Sequence, residues 1–252
     1  MNENKFGQAD KSRQMQDYDL MDRQARTLFV HTPNGRLAAV NEPGGGEAPL
    51  FFVSSAPGVR LLRFADSLSA AAERRIAHQL DREADPGAAL RALGGGLRVR
   101  AVWSGPAYLI RTGPTFGSAA PLPRSVRVEA VHAGNAQALG AHFPRLRAAW
   151  SARLPMAMAT LDGIAVSVCF AARRGEEAAE AGLETASAFR GQGLGPACTL
   201  AWAEQAQAEG LLPLYSTSHD NAASRRIAEK LRMRAYGTNF HVTGDWTGGW
   251  PG

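Results

Sequence analysis

Cysteine is scarce in this chain: Cys169 and Cys198 are the two among 252 residues. Neither their number nor their spacing suits a disulfide framework or a metal site. No histidine stands close in sequence to activate either thiol, so free core thiols are expected rather than a nucleophile. Long apolar runs are missing as well. Nothing approaches the eighteen or so residues that a bilayer-spanning helix needs, and residues 1–17 are polar, without the apolar core of a leader. A soluble, cytoplasmic protein with no membrane partner is the expectation. Basic clusters are absent too. The net charge is +5, but Arg23, Arg36, Arg60, Arg63, Arg98, Arg100 and Arg111 are spread along the chain, and no nucleic-acid motif accompanies them. No nucleic-acid partner is expected; a basic surface that attracts a small polyanion explains the charge better. No internal repeat is visible.

What is present centres on Glu180 to Gly195, which reads as a strand, a polar turn and a glycine loop, with Pro196 at the first position of a helix. Such a loop leaves backbone N–H groups without partners at the positive end of a helix dipole, and its missing side chains let an anion approach. Proline is tolerated there because its absent N–H costs nothing. A phosphate or pyrophosphate is the natural guest. A Walker loop would need Lys and then Ser or Thr after the last glycine, where Pro196 and Ala197 stand. The dinucleotide fingerprint needs G-x-G-x-x-G, whereas Gly191, Gly193 and Gly195 alternate.

The remaining pattern, R-x-x-G-x-G across Arg190, Gly193 and Gly195, resembles the coenzyme A pyrophosphate loop of the GNAT superfamily of N-acetyltransferases. The flanks extend the resemblance. Met156 to Leu161 and Ile164 to Phe170 are apolar, β-rich runs joined by Asp162-Gly163, a strong hairpin signal. Pro196 to Glu209 reads as a helix stopped by Gly210, and Leu211 to Ser218 as the next strand. Asn221 to Ser224 then open a helix whose Ser224, Ile227, Ala228 and Leu231 share a face. This is similar to the second signature of the family, N-x-x-S followed by an apolar helix ending in Lys-Leu-Gly-Phe. That ending reads Lys230-Leu231-Arg232-Met233, without the glycine and the aromatic. The likeness covers about half the chain, from near Val126 to Val242.

The resemblance implies acetyl-CoA as co-substrate, without a metal, and a mixed sheet in which the strand at Glu180 and the strand at Leu214 splay apart to admit the pantetheine arm. It places the backbone of Arg190, Gly191, Gln192, Gly193, Leu194 and Gly195 on the pyrophosphate, that of Leu183 and Thr185 on the arm, and Asn221 and Ser224 on the coenzyme. The acid–base candidates are Glu184, Glu180 and His219. The two carboxylates sit four apart on a strand and so face one side, Leu183 and Thr185 the other; an ordinary solvated pair of acids fits that pattern equally. His219 can serve as base, as the imidazole side chain does in many enzymes, or be a loop residue beside Asp220. Family members carry a tyrosine four residues after the motif serine, where this chain has Ala228; Tyr215 and Tyr236 are candidates to replace it. His142, on an apolar face, reads as a core histidine.

The expected fold class is α+β: a C-terminal GNAT-type mixed, splayed sheet flanked by helices, preceded by a smaller α+β domain. Residues 1–17 are expected to fray. The N-terminal domain spans 18–111, with hairpins at Thr27 to Val40 and Leu50 to Phe64, helices starting at Ser69 and Pro86, and strands Leu97 to Trp103 and Ala107 to Arg111. A Pro, Gly and Ser-rich linker fills 112–124, the transferase domain 125–243, and a tail 244–252. The function expected is acetyl transfer to the primary amine of a small or amino-acid-like acceptor, in a ternary complex. A coenzyme A-binding regulatory protein and an acetyltransferase of protein N-termini or lysines are the alternatives, and a homodimer is left open.

Overall fold

The structure, a computed structural model, describes residues 3–83, 85–92, 96–113, 119 and 121–247. Its elements run α1 (Glu3–Leu28), β1 (Phe29–His31), β2 (Leu37–Val40), β3 (Phe51–Ala56), β4 (Val59–Phe64), α2 (Ala70–Arg82), α3 (Pro86–Ala92) and β5 (Leu97–Leu109). They continue as β6 (Val126–Ala130), α4 (Pro144–Ala149), β7 (Met156–Leu161), β8 (Ile164–Arg174), β9 (Ala178–Thr185), α5 (Leu194–Ala208), β10 (Leu212–Ser216), α6 (Ala222–Lys230) and β11 (Arg234–Trp246). Two compact units result. One holds the chain up to Pro106 and again from Tyr236 onward; the other holds Ala107 to Ala235.

In the first unit the strand order is β4-β3-β11-β5, beside the two-stranded hairpin β1-β2. Helix α1 covers residues 3–17, where fraying is expected, and Thr27, where a strand is expected to start; residues 1 and 2 lie outside the described ones. Its buried side holds Leu20, Met21, Ala25 and Leu28, but also the polar Asp17 and Gln24. That mixture hid the helical period. Gln24 is satisfied by Asn239 of β11, whose Nδ2 donates to Oε1 at 2.8 Å. Acid-to-arginine pairs at i,i+4, Asp19 with Arg23 and Asp22 with Arg26 at 2.8 Å each, support the exposed side. Ser69 caps α2 as expected, its Oγ accepting from Ala72 N at 3.2 Å, and Ala72, Ile76 and Leu80 are buried. The two strands expected within 97–111 are one, β5, running through Pro106. The tail expected at 244–252 begins as strand, because β11 reaches Trp246, and residues from 248 lie outside the described ones. Part of the expected linker, residues 114–118 and 120, lies outside them too.

In the second unit the order is the end of β5, then β10-β9-β8-β7-β6. The β7–β8 hairpin turns at Asp162-Gly163, both with positive φ (51° and 79°), as a primed two-residue turn demands. Strands β7 and β8 are buried on both faces, which explains their unbroken apolar runs. On one face α5 sets Cys198, Trp202 and Ala206 against Ala157, Cys169 and Ala179. On the other, Leu139, Phe143 and Leu146 cover Met156, Met158, Val168 and Phe170. Each large side chain so buried contributes roughly 1.5–3 kcal/mol. The single helix expected over Asn135 to Leu146 is instead a 3₁₀ turn at Ala136–Gly140 followed by α4. Pro144 has no N–H to continue a helix and fits at the start of a new one.

Candidate active site

The site begins where two parallel strands part. β9 and β10 pair from Leu212–Ala178 to Leu214–Glu180, after which β10 stays with β5 and, among the described residues, no strand pairs with the edge of β9 from Ala181 to Thr185 on that side. At the vertex Ser216 Oγ donates to Glu180 Oε1 at 2.5 Å. Two residues along β9, Gly182 faces Phe170 of β8, and a Cβ there would lie 2.6 Å from the phenyl ring. The ring occupies the space a side chain would need. Thr185 closes the strand with its hydroxyl 2.7 Å from Ser167 Oγ.

A 3₁₀ turn, Ser187–Phe189, leads from β9 to the glycine loop. Arg190 Nε donates to Thr185 O at 3.2 Å, tying the loop back to the strand. Gly191 and Gly193 take φ of 80° and 81°, values at which a side chain is strained. Among the described residues, added Cβ atoms would meet nothing within 4 Å at Gly191 and only Leu122 at 3.8 Å at Gly193. Helix α5 begins at Leu194, two residues earlier than expected, with Gly193 as N-cap and no side-chain cap. Among the described residues, none of the backbone N–H groups from Gly191 to Gly195 donates a hydrogen bond. Pro196 therefore stands within the first turn rather than at its first position, where its missing N–H still costs nothing. Gly195 brings α5 close: a Cβ there would sit 3.3 Å from Leu183 and 3.4 Å from Ile227.

These parts line a cavity of about 830 Å³. Of the residues expected to hold the coenzyme, Leu183, Thr185, Arg190, Gly191, Gly193, Leu194, Gly195 and Asn221 line it. Gln192 and Ser224 do not: Gln192 Nε2 turns to Ala188 O at 3.4 Å, and Ser224 N donates to the Asn221 side chain at 3.0 Å, an ordinary helix cap. The acid–base candidates separate. Glu184 is exposed and lines the cavity. Glu180 is 4% exposed, bonded to Ser216 and away from the lining. His219 is exposed beyond the end of β10 and is not in the lining either. Ala228 is buried. Tyr215 is buried, its phenol pushed up to about 12 by burial, and its hydroxyl donates to Ser224 O at 3.4 Å. Tyr236 is buried and outside the lining.

Sequence reasoning missed several lining residues, among them four with a cation or a ring to offer a ligand. Arg226 and Lys230 lie one turn apart on α6, with no acidic partner among the described residues; their i,i+4 spacing beside Ile227 was the available signal. Phe189 and His142 are the others. His142 is exposed to the cavity rather than packed inward, because the break before α4 turns it out. The two thiols are buried and free, Cys198 pushed up to about 12 and Cys169 well above its usual value by burial, so neither is ionised as a nucleophile would be. Among the described residues no group of His, Cys, Asp and Glu could hold a metal ion, and no helix is long and apolar enough to cross a membrane.

Residues 157–236, which hold the parting strands, the glycine loop and α6, match the family described as GNAT acetyltransferase. The chain carries a GNAT acetyltransferase domain. Acyl transfer is the activity that goes with it, and acetyl-CoA is the co-substrate of the family. No curated protein matches the chain. Among solved structures, it is similar to a putative GNAT-family acetyltransferase from Novosphingobium aromaticivorans, at 20% identity over 60% of this chain and 69% of that one, with a TM-score of 0.44. A GCN5-related N-acetyltransferase-like protein from Streptococcus suis is 14% identical over 89% of this chain and 99% of that one, with a TM-score of 0.46. An acetyltransferase of the GNAT family from Colwellia psychrerythraea is 13% identical over 85% and 84%, with a TM-score of 0.45. The GNAT assignment rests on the match over 157–236.

Proposed function

We propose that the protein is an acetyl-CoA-dependent N-acetyltransferase that moves the acetyl group directly to a primary amine bound beside it. The observation that carries this is the undonated row of N–H groups from Gly191 to Gly195, opening on a cavity that follows the free edge of β9 to an exposed carboxylate. The loop and the α5 dipole hold the pyrophosphate, Arg226 and Lys230 add charge for the phosphates, and the open edge of β9 offers its N–H and C=O groups to the pantetheine amides. The thioester supplies the activated acyl carbon. Glu184 takes one proton from the acceptor ammonium. The nitrogen–carbon bond then forms as the carbon–sulfur bond breaks, and the second nitrogen proton ends on the thiol. Ala228 at the usual tyrosine position and the committed hydroxyl of Tyr215 leave that last proton to water.

Thiol release from acetyl-CoA across a panel of primary amines tests this. Amine-dependent release with formation of the N-acetyl product is expected. Tight coenzyme binding without release from any amine, free or peptide-borne, would make the protein a binder instead.

A further inference from the structure

The acceptor end of the cavity has a chemistry of its own. Val168, the register partner of Glu184, packs with Leu139 and Phe143, so the Glu184 carboxylate leaves the sheet on the face those residues cover, opposite to Leu183 and Thr185. The cavity that Glu184 lines also holds an aromatic wall. The His142 ring stands edge-on to Phe189 at 5.9 Å between centroids and to Phe143 at 6.2 Å. All three line the cavity with Glu184. Phe189 is fixed by the turn that leads into the glycine loop, and His142 by the break before α4, so the wall is built on the same elements that place the coenzyme. Among the described lining residues Glu184 is the only carboxylate, while Arg190, Arg226 and Lys230 belong to the loop and to α6.

We propose that the acceptor is a primary amine joined to an aromatic ring by a short alkyl arm and carrying no carboxylate, its ammonium at Glu184 and its ring against His142 and Phe189. This rests on the transferase reading above. An ammonium pairs with the carboxylate that will deprotonate it, and the ring finds edge-on partners. An amino acid of the same size would bring a second carboxylate beside Glu184, a like-charge contact that works against it. A plain alkylamine keeps the ammonium contact and forfeits the wall.

The test uses the full chain with phenethylamine, phenylalanine and hexylamine as probes. Two readouts are taken: calorimetric binding of each amine to the protein saturated with coenzyme A, and amine-dependent thiol release from acetyl-CoA. Phenethylamine is expected to bind at least tenfold tighter than either of the others and to have the highest kcat/KM. His142→Ala and Phe189→Leu are expected to raise the KM for phenethylamine about tenfold, with the larger share of the loss in KM rather than in kcat. His142 is exposed, so its variant keeps the test valid if the Phe189 variant fails to fold. Equal or tighter binding of phenylalanine or hexylamine overturns the proposal, as does an unchanged phenethylamine KM in His142→Ala, and the transferase reading survives both. Coenzyme binding with no thiol release from any amine removes the transferase reading and this proposal with it.

Discussion

Glu180 and Glu184 leave the same strand on the same face and serve different ends. Glu180 is shut in at the vertex, where its carboxylate receives the Ser216 hydroxyl, and Glu184 stands in the cavity. A base must reach the proton it removes, and this is the ground on which we propose Glu184 rather than Glu180 for that role. Glu184→Gln is expected to lower kcat by roughly a hundredfold with coenzyme affinity unchanged. Glu180→Gln, which keeps an oxygen for Ser216, should stay within a few-fold of wild type. Steady-state kinetics on both variants decide the matter, and comparable losses in the two would return Glu180 to the chemistry. The buried thiols make a second residue-scale prediction. Cys198 ionises near 9 in the unfolded chain and at about 12 in the folded one. The folded state thus keeps a proton that the unfolded state loses. The stability this contributes is complete below pH 9 and is lost as pH rises toward 12, at roughly 1.4 kcal/mol per pH unit. Denaturation midpoints between pH 8 and 11 should fall less steeply in Cys198→Ala than in wild type, although the variant is less stable at neutral pH because it leaves a cavity.

At the scale of the element, the glycine loop and the parting strands explain most of the site, and each rests on a glycine that cannot be replaced cheaply. Gly193→Val places a branched side chain in a left-handed backbone at a residue that lines the cavity. Coenzyme binding by calorimetry should be lost while circular dichroism shows a folded protein; retained affinity would take the loop out of the site. Gly182→Ala should act on stability, since its methyl would sit 2.6 Å from the Phe170 ring. A loss of about 1–3 kcal/mol is expected from overpacking, read as a lower denaturation midpoint. These elements were legible in the sequence because their signals are local: a hairpin dipeptide, alternating glycines, a capping asparagine. The aromatic wall was not. It depends on Pro144 dividing one expected helix into two pieces, which changes the side on which His142 emerges, and on a turn that brings Phe189 to it across the fold. Helix α1 was illegible for another reason: it buries Gln24 and Asp17 on tertiary partners, and composition counts those residues as solvent-facing.

At the scale of the whole molecule, composition placed a boundary in the Pro, Gly and Ser-rich stretch 112–124, whereas the compact units divide at Pro106 and Ala107 and the chain returns to the first unit at Tyr236. A linker-like composition reports local backbone preference, and a strand that runs from one unit into the next carries no such mark. Charge, by contrast, is a property of the whole chain. The surplus of +5 comes from dispersed arginines, and Arg190, Arg226 and Lys230 are the cations that line the cavity. If these three hold the coenzyme phosphates at solvent-exposed positions, the attraction must weaken as salt shortens the screening length from about 10 Å at 0.1 M to about 3 Å at 1 M. Coenzyme A affinity is therefore expected to fall about tenfold over that range. Arg226→Gln combined with Lys230→Gln should weaken binding at 0.1 M and flatten the salt dependence, because the glycine-loop N–H groups that remain act at contact distance and are screened little. Calorimetric titrations of both proteins at four salt concentrations give the two slopes. Parallel slopes would mean that the phosphates sit away from α6 and are held by the loop alone.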